Sequence, residues 1–298
     1  MCSSKQHIVL TPYLFPQWIM GLGAYRTAWK RQTKYFGHTH LAQYSSLVWD
    51  NRGVGLSDKP LSRYSTTEMA KDVVDLLTHL AWIDSTISPV RVLNVVGVSM
   101  GGMIAQELGL LIPEWLNSLS LISTFPRLVR SVPFIQNLRD RINMFVPQDI
   151  DVQLEDVAHR LFSDEFLLLP DTENADLSLN FPTNRDRFAA AELSKRSDKE
   201  GFTKKGFMLQ AVAAGWHNKS AEQLKELGDR VGRERILVTH GTLDRMITFS
   251  HAEILKRELQ PAVFKVFEGK GHVLMWEEER EFNAMIEEFV QKCGKAGK

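Results

Sequence analysis

The stretch that decides the fold reads Arg91-Val-Leu-Asn-Val-Val-Gly-Val-Ser-Met-Gly101, and a helical-looking segment follows it. The first six residues are rich in β-branched side chains, which predicts a short strand over 91–96. Gly97 and Gly101 flank Ser99 at a spacing that predicts a sharp turn from strand to helix. Glycine at both positions lets the strand and the helix pack closely enough for Ser99 to adopt strained backbone angles. We therefore predict that Ser99 is presented beside the first N–H groups of a helix.

Short apolar runs alternate with amphipathic segments on both sides of this turn, which is typical of βαβ units in a mainly parallel sheet flanked by helices. The other predicted strands are 17–20, 46–49, 116–123, 235–239 and 262–267. The predicted helices of this α/β core are 66–80, with Thr66 or Thr67 as N-cap, and 100–111, 250–259 and 278–290.

The character of the chain changes between residues 125 and 232, where no β-branched run occurs. The segments that look helical there are 154–161, 187–194 and 221–227. Structureless loops of about a hundred residues are rare in compact domains, so this block is expected to fold. We predict an α/β core domain of residues 1–124 and 233–298 that carries a helical cap insertion over 125–232.

Composition narrows the class of protein. The 298 residues are 44% hydrophobic, which suits one large domain with an insertion. Lys+Arg and Asp+Glu number 36 each, so no net field favours nucleic acid. No segment reaches the roughly 20 apolar residues of a transmembrane helix, and the first residues lack the pattern of a signal peptide. With Cys2 and Cys293 at opposite ends, we expect a cytoplasmic protein; peripheral lipid association and oligomeric state stay open.

Two later strands each precede a residue that could activate Ser99. A serine hydroxyl needs a base, usually histidine, which a carboxylate orients. Asp244 follows the predicted strand 235–239, and His272 follows the predicted strand 262–267. We predict a Ser99, Asp244 and His272 triad; the alternatives for the acid are Asp50, or that Asp244 only caps the next helix.

Several other motifs favour structural roles. The patterns Gly21-x-Gly23 and Gly53-x-Gly55 lack the third glycine of a dinucleotide fingerprint and indicate tight turns. His38-Thr39-His40 has metal-like spacing without a completing ligand, so we predict a solvated turn and no metal. Trp216-His217 and Met208 either line a pocket or fill the core of the cap, and core filling is favoured.

The turn Gly97-Val-Ser99-Met-Gly101 is similar to the nucleophile elbow of the α/β-hydrolase fold superfamily, and we call it the elbow. With the chain order Ser99, Asp244, His272, the sequence resembles this superfamily from about Gln17 onward. The stretch Asp50-Asn-Arg-Gly-Val-Gly-Leu-Ser57 is similar to the loop that such proteins carry after the strand preceding the elbow unit. The resemblance implies that this loop is a structural turn with Arg52 in an internal ion pair. Asn51 and Met100-Gly-Gly-Met103 resemble uncharacterised fungal members.

The resemblance also implies an oxyanion hole made by the backbone N–H groups of Met100 and Leu22. The loop that would supply Leu22 begins Met20-Gly21, where the family usually has His-Gly. Because the donor is a backbone group, this replacement leaves it in place. The family normally has further strands before this loop, whereas this chain offers one candidate near 7–10, so we expect an incomplete sheet edge.

These residues predict a carboxylesterase- or lipase-like serine hydrolase for a small-molecule ester or related acyl compound, with no cofactor. Serine at the elbow argues against dehalogenase and epoxide hydrolase chemistry, for which this fold uses aspartate. A hydrophobic substrate group is suggested by apolar residues of the cap, namely Phe134, Ile135, Met144, Phe145, Phe162, Leu167 and Leu168. Acyl transfer, C–C bond hydrolysis and non-catalytic ligand binding remain alternatives.

Overall fold

The computed structural model of the chain describes residues 15–84, 86–129, 149–171 and 181–295. Six strands of these residues form one fully parallel sheet in the order β2-β1-β3-β4-β5-β6. The strands are β1 (Phe15–Ile19), β2 (Leu47–Val48), β3 (Leu93–Val98), β4 (Leu116–Ile122), β5 (Ile236–Gly241) and β6 (Val263–Phe267). The strand predicted near 7–10 lies outside the described residues.

Ten helices of the described segments are labelled here; short helical turns also cover 26–39, 113–115 and 233–235. The labelled helices are α1 (Thr66–His79), α2 (Met100–Leu111), α3 (Ile150–Leu161), α4 (Asp164–Leu168), α5 (Asn184–Ser197), α6 (Lys204–Gly215), α7 (Ala221–Val231), α8 (Ser250–Leu259), α9 (Leu274–Glu277) and α10 (Glu279–Lys295). No helix within these segments combines the length and the apolar character needed to cross a bilayer.

Two predicted boundaries near the elbow were wrong. Strand β3 continues through Val98, so the turn begins at Ser99 and not at Gly97. Helix α1 is capped by Ser65, whose side chain accepts a hydrogen bond from the Glu68 N–H at 3.1 Å. Thr66 is not the cap, because its hydroxyl contacts partners distant in sequence.

The sheet separates two apolar layers. On one face, buried side chains of α1, α2, α7 and α8 form the main core with the sheet. On the other face, α9, α10 and the helical turns of 26–39 pack around Trp18, Trp29 and Phe282. Helix α7 was predicted to belong to the cap, but Leu224, Leu227 and Val231 are fully buried in the main core.

The remaining helices between β4 and β5, α3 to α6, form what we call the insertion, residues 149–171 and 181–219. Part of it has a small core of its own, in which Phe162 and Leu167 pack with Ala158, Phe166 and Phe188. Leu168 is exposed. The other apolar residues predicted to contact a substrate, Phe134, Ile135, Met144 and Phe145, lie outside the described residues.

Candidate active site

Ser99 occupies the turn between β3 and α2 in a strained conformation. Its φ of 56° is positive, which a residue with a side chain rarely adopts. A methyl group added at Gly101 would overlap the carbonyl oxygen of Ile19, and one added at Gly97 would overlap that of Gly101. These close backbone contacts explain why the elbow needs both glycines.

The backbone of Ser99 is anchored by the sheet and by its own helix. Its N–H donates to the Ile122 carbonyl of β4 at 3.0 Å. Its carbonyl oxygen accepts from the Gly102 N–H at 2.9 Å and from the Thr124 hydroxyl at 2.7 Å. The Ser99 side chain is half-buried, so the strand and helix hold it in place without sealing it.

The Met20–Gly23 loop follows β1 and lies against Ser99. A methyl group added at Gly21 would stand 3.1 Å from Ser99 Cβ and 3.5 Å from Ser99 Oγ. The side chain of Met20 is buried in the core, so it fills space where the family usually has histidine. Among the described residues, no acceptor is found for the N–H groups of Leu22 and Met100.

Asp244 and His272 are brought together beyond the C-terminal ends of the neighbouring parallel strands β5 and β6. Asp244 follows β5 and His272 follows β6, and His272 donates from Nδ1 to Asp244 Oδ2 at 2.7 Å. This bond fixes the tautomer in which Nε2 carries a free lone pair. Within the described residues no hydrogen bond joins His272 to Ser99, and catalytic hydrogen bonds of this kind often tighten only with substrate in place.

The Asp244 carboxylate is buried and fully hydrogen-bonded. Its Oδ1 accepts from the N–H groups of Met246 and Ile247, both at 2.8 Å, so it holds a tight turn and does not cap α8. Burial by itself would raise its pKa. The electrostatic attraction of His272 and the hydrogen bonds from His272 and His240 outweigh burial, so the pKa of Asp244 is well below its usual value. Asp244 therefore stays ionised at neutral pH.

A second histidine, His240, contacts the same carboxylate. Its Nε2 lies 3.0 Å from Asp244 Oδ2 and 2.7 Å from the Ile247 carbonyl oxygen. Because both neighbours are acceptors, Nε2 carries the proton. His240 Nδ1 is buried and has no hydrogen-bond partner among the described residues. Asp244 is thus oriented from two sides.

The loop that carries His272 is docked on the insertion. The N–H groups of His272 and Val273 donate to the carbonyl oxygen of Leu161, the last residue of α3, at 2.8 and 3.2 Å. Glu277 accepts from the Gly271 N–H at 2.9 Å and from the Ser163 hydroxyl at 2.5 Å. Burial raises the pKa of Glu277, and the hydrogen bonds of Ser163 and Gly271 oppose that rise.

The alternative acid Asp50 lies elsewhere. It accepts hydrogen bonds from the Arg26 N–H at 2.7 Å and the Leu56 N–H at 3.0 Å, and it pairs with the Arg26 guanidinium. Arg52 pairs with Asp72 of α1. Asp50 therefore holds the turn after β2, and it contacts neither His272 nor Ser99.

The sequence indicates structural roles for His38-Thr39-His40 and for Trp216 and Met208. Within the described segments no group of His, Cys, Asp and Glu side chains could hold a metal ion, and His40 donates from Nδ1 to the Tyr35 carbonyl at 3.0 Å. Core filling by Trp216 and Met208 was wrong, because both side chains are exposed. The buried face of α6 consists of Gly206, Gln210 and Ala213 instead.

Three contacts of the site were missed from the sequence: His240, Glu277 and Gln210. His240 lies four residues before Asp244 at the end of a predicted strand, a position that could have marked it. Glu277 binds Ser163 and Gln210 binds Gly23, and in each case the partner is more than a hundred residues away. No local pattern identifies such residues.

Comparison with known proteins places these observations in a family. The family model of the α/β-hydrolase fold matches residues 19–279. The 3-oxoadipate enol-lactonase 2 of Acinetobacter baylyi is 22% identical over 275 residues, which cover 91% of this chain and 86% of that protein.

Two solved structures with this fold are similar along most of their length. Est816, described as an N-acyl homoserine lactone degrading enzyme, has a TM-score of 0.68 and 23% identity, and the match covers 93% of both chains. A thermophilic esterase from Thermogutta terrifontis has a TM-score of 0.65 and 20% identity, covering 94% of this chain and 90% of that one. With the family model matching most of its length, this chain belongs to the α/β-hydrolase fold family.

Proposed function

We propose that the protein is a serine hydrolase that cleaves a carboxylic ester, open or cyclic, through a Ser99, His272 and Asp244 triad. The observation that carries the proposal is the buried 2.7 Å hydrogen bond between His272 and Asp244 at the sheet edge where the strained elbow presents Ser99. A bonded His–Asp pair and a serine on a strand-to-helix turn are the elements that nucleophilic acyl chemistry needs.

In the first half of the reaction, Ser99 Oγ attacks the carbonyl carbon while His272 Nε2 takes the hydroxyl proton. The ionised Asp244 stabilises the imidazolium through the Nδ1 hydrogen bond. Negative charge develops on the carbonyl oxygen, and the free N–H groups of Met100 and Leu22 are the proposed donors to it. The tetrahedral intermediate collapses, the C–O bond to the alcohol breaks, and the alcohol leaves with the proton from His272.

In the second half, His272 Nε2 takes a proton from water, and the resulting hydroxide attacks the Ser99 ester. The same two N–H groups hold the oxyanion. Collapse breaks the bond to Ser99 Oγ, which regains its proton from His272, and the carboxylic acid is released. The residues supply all proton transfers, so the cycle needs no further reactant besides water.

The substrate class is supported by chemistry and by similarity. The enol-lactonase and the lactone-degrading enzyme act, by their names, on cyclic esters, and the third similar protein is an esterase. We propose that the insertion caps the site and contacts a hydrophobic part of the substrate. Phe162 and Leu167 are engaged in the small core of the insertion, so this contact falls to other residues of the cap.

The test combines an active-site probe with esters of increasing chain length. Wild-type protein should be labelled by a fluorophosphonate and should hydrolyse p-nitrophenyl esters. Ser99→Ala should lose labelling and lower kcat by at least about a thousandfold, and Asp244→Asn should lower kcat by a similar factor because His272 would be misoriented.

Ser123→Ala is the matched control. Ser123 also follows a sheet strand with a positive φ, at 44°, and it is buried beside the elbow. Its removal should leave labelling and kcat unchanged. A wild-type protein that is folded yet neither labelled nor active, or a Ser99→Ala variant with wild-type rates, would exclude the serine hydrolase.

A further inference from the structure

We infer that Gln210, on helix α6 of the insertion, is a positioning residue that fixes the Met20–Gly23 loop for catalysis. This inference rests on the proposed function, because it concerns the Leu22 N–H as an oxyanion donor. Gln210 does not touch the reacting atoms in the proposed mechanism. It acts through the backbone of the loop beside Ser99.

Both ends of the Gln210 amide are used. Its Oε1 accepts from the Gly23 N–H at 2.8 Å, and its Nε2 donates to the Arg52 carbonyl oxygen at 2.8 Å. The side chain is fully buried. If the amide were rotated by half a turn, its NH2 group would face the Gly23 N–H and its oxygen would face the Arg52 carbonyl oxygen. The two hydrogen bonds therefore select one orientation of the amide. Gln210 thus joins two separate core loops to one helix of the insertion.

Helix α6 is seated closely enough on these loops for the contact to be rigid. A methyl group added at Gly206 would overlap the carbonyl oxygen of Gly53. A methyl group added at Gly23 would stand 2.8 Å from a ring carbon of Phe207. Gly23 also has a φ of 67°, a value that glycine adopts far more readily than residues with a side chain, and the loop turns beneath the helix at this residue.

The loop is held on both sides of Leu22. Asn51 donates from Nδ2 to the Met20 carbonyl oxygen at 2.9 Å, and Gln210 holds the N–H of Gly23. The Leu22 N–H lies between these anchors and has no partner among the described residues. Removing the Gln210 anchor leaves the Gly23 N–H without its buried acceptor, and the peptide groups around Leu22 become free to rotate. Small displacements of a catalytic donor are costly because its contribution depends on alignment.

The experiment compares two substitutions of Gln210 by exchange and by kinetics. Gln210→Met keeps the size of the side chain and removes both hydrogen bonds, whereas Gln210→Glu keeps the acceptor for Gly23. In Gln210→Met we expect amide hydrogen exchange at Gly23 to rise at least tenfold. We expect kcat for a p-nitrophenyl ester to fall about ten- to a hundredfold, with KM within twofold of wild type. The neutral carboxyl of Gln210→Glu can accept from the Gly23 N–H and donate to the Arg52 carbonyl oxygen, so this variant should keep Gly23 protected and recover most of kcat.

Gln32→Met is the matched control. Gln32 is fully buried and donates from Nε2 to the Met275 carbonyl and to Asn283 Oδ1, both at 3.1 Å, so its replacement also removes two hydrogen bonds. It should change neither Gly23 exchange nor kcat by more than twofold. If Gln210→Met does not fold, Gln210→Leu takes its place, since it also removes both hydrogen bonds: raised Gly23 exchange with lowered kcat supports the inference, and wild-type exchange or wild-type kcat overturns it.

The inference is overturned if Gly23 exchange in Gln210→Met matches wild type, or if exchange rises while kcat is unchanged. Ser99→Ala separates these outcomes from a failure of the proposed function. If Ser99→Ala retains wild-type activity, the serine mechanism is wrong, whatever Gln210 does. If Ser99→Ala is inactive while Gln210→Met turns over normally, the mechanism stands and the positioning role is wrong.

Discussion

The elbow around Ser99 and the loop that carries His272 lie at the same edge of the sheet, but different parts of the chain hold them. The anchors of Ser99 come from the sheet, its own helix and Thr124, which follows β4. The backbone around His272 is bound by Leu161 of the insertion and by Glu277, which also binds Ser163 of the insertion. Ser99, the proposed nucleophile, is held by the core, whereas the position of His272, the proposed base, depends on the insertion.

Like the loop of His272, the Met20–Gly23 loop is bound by the insertion. It is packed against Ser99 by the core, yet its Gly23 end is bound by Gln210 of the insertion. The insertion therefore binds the loop of His272 and the Met20–Gly23 loop, whereas the core binds the backbone of Ser99. This division predicts that damage to the elbow costs mainly folding, and that damage to the insertion contacts costs mainly turnover.

The largest effect is expected from adding one methyl group at the elbow. In Gly101→Ala the new Cβ would overlap the Ile19 carbonyl oxygen and stand 2.8 Å from that of Met20. Both are backbone atoms at the C-terminal end of β1, and they cannot move without displacing this strand. We expect the free energy of unfolding to fall by about 4 kcal/mol, measured by urea denaturation.

Gly215→Ala is the control for this experiment. Apart from its chain neighbours and its own helix backbone, no heavy atom of the described residues lies within 4 Å of a methyl group added at Gly215, the last residue of α6. Its unfolding free energy should stay within about 1 kcal/mol of wild type, with any change toward greater stability. A Gly101→Ala variant as stable as Gly215→Ala would show that the elbow is not held by close backbone contact.

The elbow and the two strand-end residues could be predicted from the sequence because their signals are local. Gly97, Ser99 and Gly101 lie within five residues, and Asp244 and His272 each follow a recognisable strand. The Ser65 cap was missed because Ser65, Thr66 and Thr67 are all good caps, and the long-range partners of Thr66 decide among them.

Helix α6 and its role could not be predicted. Its buried positions, Gly206, Gln210 and Ala213, give no apolar stripe. Its burial follows from the loops it covers, which lie more than 150 residues earlier in the chain. For the same reason, Trp216 and Met208 were expected in a core although their side of the helix faces solvent.

A smaller effect on stability and a larger one on turnover are expected on the His272 side. Glu277→Leu leaves the N–H groups of Gly271 and Ser163 and the Ser163 hydroxyl without their acceptor. We expect a loss of about 3 kcal/mol in unfolding free energy. We also expect kcat to fall at least tenfold, because the loop that aims His272 loses its link to the insertion.

Glu277→Gln provides the comparison for this variant, since its amide oxygen can still accept from both N–H groups. Steady-state kinetics at saturating ester and urea denaturation should place it near wild type in both properties. If Glu277→Leu turns over at the wild-type rate while being less stable, His272 does not depend on the insertion, and the contrast with Ser99 fails.

The smallest effect concerns the place where the insertion meets the elbow helix. His217 is buried there, with Nδ1 2.9 Å from the Thr66 hydroxyl, and Lys219 pairs with Glu107 of α2 at 2.7 Å. Burial and then the charge of Lys219 lower the pKa of His217 from 6.5 to about 3. Between these values the unfolded chain binds a proton that the folded chain does not, so stability is lost as pH falls below 6.5. One such proton costs about 2 kcal/mol between pH 7 and pH 5.

His217→Gln removes this titration while the other histidines stay. Urea denaturation of both proteins at pH 7 and pH 5 should show a loss in the variant that is smaller by about 2 kcal/mol. Because the Ser99 elbow is held by the core, fluorophosphonate labelling of folded wild type and variant at pH 7 should be equal. Equal pH dependence of stability in the two proteins would mean that His217 is not the buried neutral group. Slower labelling of the variant would mean that the insertion also positions Ser99.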